Sequence, residues 1–472
     1  MEKGKNTFIL TLLCAFGAFL CAHGFGITNL LFSGESLRLA VSESAASEIA
    51  AGDWLQVFYF RIRGRISAPY LVGILSGVFL LLTCFLILRL FEIKPLRNRM
   101  LICCALLLNP AVTALLASGI QSADAVCLAA LLGTGGAYVF FRHPKGWLVS
   151  TIFFGLSFAL SFDTAAFGPV LLVMALCQRK RGLTGLIKWT FCLLGAALLF
   201  TAGLVVLSHR YGCAIELSPL KSFSFTLFLR PIQTYFEGHT AYPHLAFIGG
   251  CFLLLFLPFS VKDPRHQLPS FLLAAMVSLL LAGLPSFLSG RSSQVSLTDT
   301  LFALLVLVPV LSSDFKISVV SSSRIASWLC VPLFLGQIIF ANQIYLKKNL
   351  EFQSTLSVMT RVLDRLESTE GFRPGQTKVT FYGSIEKGPL SVPHEGFERL
   401  SSFEAAAGNF SVTEEELNTD YFWQILGYPV NALSDFERET LRKQMDLSIL
   451  KPFPDKDCLE WVNDVLVVKL SD

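Results

Sequence analysis

Residues 69–91 read PYLVGILSGVFLLLTCFLILRLF, and Arg89 is the only charged residue among them. An α-helix rises about 1.5 Å per residue, so about 20 apolar residues match the hydrocarbon thickness of a bilayer. The stretch therefore predicts a membrane-spanning helix that begins at Pro69.

The composition of the whole chain agrees with this prediction. Its 472 residues are 53% hydrophobic and only 15% charged, with a mean hydropathy of +0.60, whereas a soluble chain has roughly 25% charged residues. The formal net charge of +4 is small and gives no reason to expect a nucleic-acid partner. The composition favours a membrane protein with the lipid bilayer as its surroundings.

Similar apolar runs recur through the first 348 residues, and they predict about eleven membrane-spanning helices. The runs are Thr7–Phe25, Pro69–Phe91, Met100–Ser118, Ala123–Phe141, Trp147–Leu160, Thr164–Cys177, Ile187–Ser208, His244–Ser260, Leu268–Phe287, Leu297–Leu311 and Ile325–Tyr345. The fifth and sixth are short, so they form one bent helix, two short spans or a re-entrant pair. We expect residues 1–348 to form the polytopic transmembrane domain.

Lysine and arginine in the short loops predict the orientation, because cytoplasmic loops of membrane proteins carry an excess of both. With the N-terminus inside, every inner loop is basic if the two short runs make an even number of passes. The basic residues of these loops are Lys3, Lys5, Lys94, Arg97, Arg99, Arg142, Lys145, Arg179, Lys180, Arg181, Lys188, Lys262, Arg265, Lys316 and Arg324. This pattern predicts a multi-pass protein of the cytoplasmic (inner) membrane with its tail outside.

The tail, residues 349–472, is far more polar than the rest of the chain. We expect a helix over Phe352–Thr369 and another around Thr413–Leu426. Lys378–Tyr382 alternates apolar residues, and Val465–Leu470 is β-branched and apolar, so both predict strands. The tail is therefore expected to form a small α/β domain on the outer side of the membrane.

The outer segment 26–68 carries acids together with Arg38, Arg61, Arg63 and Arg65, against the charge pattern of the other outer loops. One interpretation is an amphipathic helix on the membrane surface, since such helices bury aromatic residues at the interface. Its anchors would be Trp54, Phe58, Tyr59 and Phe60. The other is binding of a lipid phosphate, because the guanidinium fork matches phosphate oxygens.

Ionisable residues also occur near the predicted outer ends of other helices. Asp124, Asp163 and Asp299 are each either a helix N-cap, where Asp is favoured, or a group that faces a cavity or a partner. Arg291 is either an interfacial anchor or a phosphate ligand. The sequence leaves these alternatives open, and it contains no metal-binding motif.

Several of these features follow one another in the order found in a known family. They are Gly34-Glu35-Ser36-Leu37-Arg38, Gly64-Arg65, Asn109-Pro110, Asp124, Arg291, Phe381-Tyr382-Gly383, Ser401-Ser402-Phe403, Tyr428-Pro429 and the closing stretch from Trp461 to Leu470. In this order the chain resembles the GtrII family of serotype-converting membrane glucosyltransferases, which have a GT-C type architecture. Many relatives carry two acids where this chain has Gly34-Glu35.

The resemblance implies a membrane glycosyltransferase that moves a sugar, glucose by expectation, from a polyprenyl-phosphate sugar to a lipid-linked or surface glycan such as O-antigen. A lipid phosphate leaves readily, so one general base and cations for the phosphate suffice, and inversion is expected. Glu35 is the expected catalytic base, and Arg38, Arg65 and Arg291 are the expected ligands of the donor phosphate. Asp53 and Asp124 are the competing candidates for the base, and either can join Glu35 on a divalent cation, although nothing requires one.

Two alternatives remain. A lipid-linked glycan polymerase or ligase would use a pyrophosphate donor. A polytopic transporter or flippase is a different class, and the lack of an internal repeat and the large polar tail count against it.

Overall fold

The computed structural model describes most of the chain outside two long gaps. The described residues are 2–29, 31, 45–178, 183–215, 232, 276–277, 280–281, 283–284, 287–288, 296–313, 316–317, 320–392, 394–400, 403 and 410–472. They belong to two compact units. The first draws on Met1–Thr28, Ser44–Leu116 and Ile120–Asn342, and the second draws on Asn29–Glu43, Ala117–Gly119 and Gln343–Asp472.

The described part of the first unit is almost entirely helical. Its helices are α1 Glu2–Thr28, α2 Ala45–Ala50, α3 Trp54–Arg63, α4 Pro69–Leu90, α5 Leu96–Leu107, α6 Pro110–Ser118, α7 Ile120–Arg142, α8 Gly146–Leu160, α9 Phe167–Gln178, α10 Leu183–Tyr211, α11 Leu301–Ser313 and the first part of α12 Ser322–Glu367. Two 3-10 helices, Phe162–Thr164 and Leu297–Thr300, precede α9 and α11. A short antiparallel pair, β1 Lys316–Ile317 and β2 Val320–Ser321, precedes α12.

Six described helical stretches, one of them formed by α5 and α6 together, are long and apolar enough to cross a membrane. They are Thr7–Thr28, Pro69–Leu90, Leu96–Ser118, Ile120–Arg142, Thr184–Tyr211 and Arg324–Glu367, and shorter apolar helices cover Gly146–Leu160, Phe162–Gln178 and Leu297–Pro309. The chain is therefore a helical, membrane-embedded protein. The predicted span His244–Ser260 and most of Leu268–Phe287 lie outside the described residues, so the count of about eleven spans stays a prediction.

The two short runs predicted at 147–177 form two separate helices rather than one bent helix. Ser161 follows α8 with an extended backbone (φ −155°, ψ 106°), and the 3-10 helix Phe162–Thr164 comes before α9. Glycines let α9 approach α7 closely, since a Cβ added to Gly168 would lie 2.5 Å from the carbonyl oxygen of Gly133. This close packing holds the junction of α8 and α9 against α7.

The third predicted span is divided at Asn109-Pro110. Proline has no backbone N–H and favours the first turn of a helix, and α6 begins at Pro110. The Asn109 side chain accepts a 3.0 Å hydrogen bond from the backbone N–H of Ala111, which satisfies a donor at the new helix start. Asn109-Pro110, one of the features on which the resemblance rests, thus separates α5 from α6.

The second unit is a small α/β domain built on a mixed sheet. Its strands are β3 Lys378–Tyr382, β4 Asn431–Ala432, β5 Leu459–Val462 and β6 Val465–Lys469, in the order β4-β3-β6-β5. Strand β3 runs parallel to both neighbours, and β5 is antiparallel to β6. The helices are the last part of α12 with α13 Glu414–Leu417, α14 Asp420–Leu426 and α15 Asp435–Gln444. The strands predicted at Lys378–Tyr382 and Val465–Leu470 are thus confirmed.

The two helices predicted in the tail differ from those observed. The predicted Phe352–Thr369 is the end of the 46-residue helix α12, which stops at Glu367 before Gly371. The predicted Thr413–Leu426 is two helices, because Asn418 ends α13 and turns its amide to the sheet. Its Nδ2 donates to the Phe381 carbonyl (2.8 Å), and its Oδ1 accepts from the Phe381 N–H (2.9 Å).

Candidate functional site

Helix α3 packs one face against other helices of the first unit and leaves the other face exposed, since Ile62 is 88% exposed. Trp54 donates from Nε1 to the Phe200 carbonyl on α10 (3.3 Å), and its ring fills the space left by Gly203. Phe60 is 6% exposed and packs with residues of α7 and α8. Interhelical contacts bury Phe60 and partly bury Trp54, whereas Phe58 is 39% exposed, so the interpretation of these residues as interfacial anchors stays a prediction.

A buried ion pair joins the end of α3 to the start of α7. The Arg63 Nε lies 3.0 Å from Oδ2 of Asp124, and the two side chains are 5% and 0% exposed. The Nε–H does not point at that oxygen, so this contact is ionic rather than a hydrogen bond. The same oxygen accepts a 2.7 Å hydrogen bond from the Tyr59 hydroxyl, one turn earlier on α3. Asp124 therefore binds two residues of α3 at once.

The rest of the Arg63 guanidinium is held by backbone and ring contacts. Its Nη2 donates to the Gln121 carbonyl, and its Cζ lies 4.9 Å from the centre of the Phe60 ring. Its Nη1 is buried without a hydrogen-bond partner among the described residues. Burying a charge is costly unless it is paired, so the pairing with Asp124 is what permits this position.

Gln121 fixes the chain between α3 and α4. Its Oε1 accepts from the Ser67 N–H (3.2 Å), and its Nε2 donates to the Ser67 carbonyl (3.1 Å). An extended backbone normally finds such a two-way partner in a neighbouring strand. Here a side chain of α7 takes that role, so the residues on either side of Ser67 are held in place.

A second ion pair lies close in sequence to the first. Arg65 pairs through Nη2 with Oε1 of Glu48 on α2, and the two side chains are 26% and 6% exposed. The other Glu48 oxygen accepts from the Ser47 hydroxyl at 3.3 Å. The carboxylate is thus buried, while part of the Arg65 side chain reaches solvent.

Asp53 ties the start of α3 to the junction of α8 and α9. Its Oδ1 accepts a 2.7 Å hydrogen bond from the backbone N–H of Phe162, and no side-chain bond caps α3. At the other end of α3, Arg61 donates to the Tyr211 hydroxyl at the end of α10 (2.9 Å). The start of α7 and the last turn of α10 therefore meet α3 at one end of the helix bundle.

Electrostatics keep Tyr59 neutral. Burial raises the pKa of Tyr59 above its ordinary value of about 10, and the hydrogen bond to Asp124 and the charge of that carboxylate raise it further. The hydroxyl is therefore a permanent donor to Asp124 at physiological pH. Within the described part of the chain, no three His, Cys, Asp or Glu side chains form a group that could hold a metal ion.

Only some of the predicted site residues are among those that the structure describes. Glu35, Arg38 and Arg291 lie outside the described residues, so their roles stay predictions. Arg65, Asp53 and Asp124 are described, and each is engaged by the contacts given above.

The helix-cap interpretation fails for two of the three aspartates. It is wrong for Asp124, which stands four residues after the start of α7 and pairs with α3. It is wrong for Asp299 as well, because Ser296 is the N-cap, and the Asp299 carboxylate accepts from the Ser296 N–H (3.0 Å) as the third residue of the capping box. Asp163 lies in the 3-10 helix before α9, and its carbonyl accepts from the Ser296 hydroxyl (2.9 Å).

Sequence reasoning named Tyr59 and Arg63 only as an interfacial anchor and a phosphate ligand, and it gave no role to Glu48 or Gln121 of this cluster. The available signal was the charge balance of segment 26–68, where acids accompany arginines that break the positive-inside pattern. That balance points to internal ion pairs, but the choice of partner depends on how the helices pack. Comparison of the chain with known protein families, with curated proteins and with solved structures finds no match.

Proposed function

We propose that this membrane protein is a glycosyltransferase that moves a sugar, glucose by the family resemblance, from a polyprenyl-phosphate donor to a lipid-linked or surface glycan such as O-antigen. The observation that carries the proposal is Arg65. A half-buried arginine, paired with a buried carboxylate at one end of a bundle of membrane-length helices, suits an anionic lipid headgroup.

The pairing with Glu48 supports this role in two ways. It orients the guanidinium, since a carboxylate binds the planar fork in a defined geometry. It also leaves about a quarter of the side chain exposed to a ligand. The Gln121–Ser67 contact stabilises the backbone two residues away, so the arginine is positioned before the donor binds.

The proposed reaction is a single displacement. A hydroxyl oxygen of the acceptor attacks the anomeric carbon of the donor sugar and forms the new glycosidic bond. The bond from that carbon to the phosphate oxygen breaks, and the electron pair leaves with the polyprenyl phosphate. The hydroxyl proton passes to the Glu35 carboxylate, and the anomeric configuration inverts. We assign this role to Glu35 because of its position in segment 26–68 and because of the resemblance.

The contacts of Asp53 and Asp124 favour positioning roles for both. Each carboxylate binds an element that holds α3 in place. Neither is proposed as the base, and a divalent cation bound with Glu35 remains an optional part of the site. The proposed orientation, with the N-terminus inside and the second unit outside the cytoplasmic membrane, rests on the lysine and arginine pattern.

The test is a donor assay. The purified chain in lipid nanodiscs would be given radiolabelled polyprenyl-phosphate glucose with O-antigen-bearing lipopolysaccharide, and both transferred sugar and released polyprenyl phosphate would be measured. Transfer from this donor, with none from the polyprenyl-pyrophosphate sugar, is the expected result. Use of the pyrophosphate donor alone would favour the polymerase or ligase class, and no binding of either donor would overturn the proposal.

A further inference from the structure

The second unit contains a groove of about 600 Å³, and we propose that it binds a neutral carbohydrate chain. Ligand pockets in proteins commonly measure about 300–1,000 Å³, so the volume accommodates a few sugar rings. The ligand class follows from the two walls of the groove and from their charges.

One wall is a polar face of α12. Ser354, Ser357 and Arg361 line the groove at spacings of three and four residues, which place side chains on the same face of a helix. The Arg361 guanidinium lies over the ring of Phe453 (5.5 Å to the centroid), and this contact limits its motion. The wall thus offers two hydroxyl groups and one planar donor.

The opposite wall comes from the chain after β3. It includes Leu390, His394 and Glu395. The Nε2 atom of His394 is buried and has no hydrogen-bond partner among the described residues. Buried polar atoms are nearly always paired, and a ligand hydroxyl can supply the partner that this nitrogen does not find within the described part of the chain.

The mixture of groups fits sugar rings better than other ligands. A sugar presents hydroxyl groups that both donate and accept hydrogen bonds, together with patches of C–H bonds. The groove pairs its hydroxyl, imidazole, guanidinium and carboxylate groups with the apolar surfaces of Val358, Leu390 and Phe410. Arg361 and Glu395 carry opposite charges, so the lining has no excess of cations for a phosphate or another polyanion.

This inference rests on the proposed function only for the identity of the bound carbohydrate, which would be the acceptor glycan. Binding of a carbohydrate to the groove is a separate property from donor turnover. The two can therefore be measured independently on the same protein.

Saturation-transfer NMR on the full chain in nanodiscs tests the inference. The probes are linear tri- and tetrasaccharides of glucose, galactose, mannose and rhamnose. Ser357→Trp places an indole in the groove from an exposed helix position. Thr360→Trp is the control, because Thr360 is also exposed on α12 but does not line the groove. We expect at least one probe to bind, a loss of about tenfold or more in Ser357→Trp, and unchanged binding in Thr360→Trp.

The outcomes separate the inference from the proposed function. Saturation transfer that persists in Ser357→Trp, or its absence for every probe, would overturn the inference. Stronger binding of inorganic phosphate or of an acidic peptide than of any probe would also overturn it. Carbohydrate binding that depends on the groove, in a protein that does not turn over polyprenyl-phosphate glucose, would uphold the groove and remove the proposed reaction.

Discussion

Tyr59 and Asp124 stand 65 positions apart in the sequence, and the hydroxyl of Tyr59 donates a 2.7 Å hydrogen bond to Oδ2 of Asp124. Arg63 makes its ionic contact with the same oxygen. One buried carboxylate therefore holds two successive turns of α3 to the start of α7. The position of α3, and of Arg65 just beyond it, depends on this carboxylate.

Asp124→Asn should strongly destabilise the first unit, because it leaves the Arg63 charge buried without its counter-ion. Breaking a buried pair in this way costs about 3–5 kcal/mol. The double variant Asp124→Asn, Arg63→Gln removes both charges and should recover part of the loss. Thermal unfolding in one detergent measures the stability of the single and double variants. Additive losses in the double variant would contradict the coupling between Arg63 and Asp124.

Arg65→Ala should reduce donor use by about a hundredfold, the scale of a lost electrostatic contact in a transition state. Arg65→Lys should restore only part of it, since lysine lacks the planar fork. Arg61→Ala is the control, because Arg61 belongs to the same segment but bonds to Tyr211. Equal rates for Arg65→Ala and Arg61→Ala would remove Arg65 from the donor site.

Glu35→Gln should lower transfer by about 10²–10⁴ while donor binding is retained, because the variant keeps the size of the side chain but lacks the basic oxygen. Donor binding and transfer would be measured separately on correctly inserted protein. Glu48→Gln is an informative comparison, since it should weaken donor binding through Arg65. Transfer near the wild-type rate in Glu35→Gln would require another base.

The stabilisation from Tyr59 should fade only in alkali. Its pKa is raised in the folded protein, so its contribution is complete below the unfolded value of about 10 and is lost as the pH rises towards the folded value. The stability advantage of the wild type over Tyr59→Phe should therefore shrink above about pH 10. Phenolate absorbance of the folded wild type and Tyr59→Phe should stay equal to about pH 11. A larger signal in the wild type would contradict the burial argument.

Asn418→Leu should destabilise the second unit by roughly 2–6 kcal/mol, because the N–H and carbonyl of Phe381 would each be buried without a partner at about 1–3 kcal/mol apiece. Asn431→Leu is the control, since its amide makes an exposed 3.3 Å hydrogen bond to the Gln376 carbonyl. Limited proteolysis of the two variants should cleave the second unit faster only in Asn418→Leu. Equal cleavage rates would contradict the role of this amide.

Hydropathy predicted the long helices because bilayer thickness sets their length, and a run such as Pro69–Leu90 satisfies it locally. The two strands of the tail were also predictable from short local patterns of apolar residues. The pairing of Arg63 with Asp124 was not predictable, because several arginines and acids share segment 26–68 and only the packing of α3 against α7 selects among them. The continuation of α12 past Lys348 was also missed, since hydropathy marks where apolar character ends and not where the helix ends.

Strand β4 is only two residues long, so it leaves the rest of β3 without a neighbouring strand on that side. The Asn418 amide occupies the N–H and carbonyl of Phe381 there. An open strand edge is a template for pairing with another chain, and such pairing leads to aggregation. By closing this edge with the amide of Asn418, at the end of the one-turn helix α13, the domain blocks strand pairing with another chain without a longer β4.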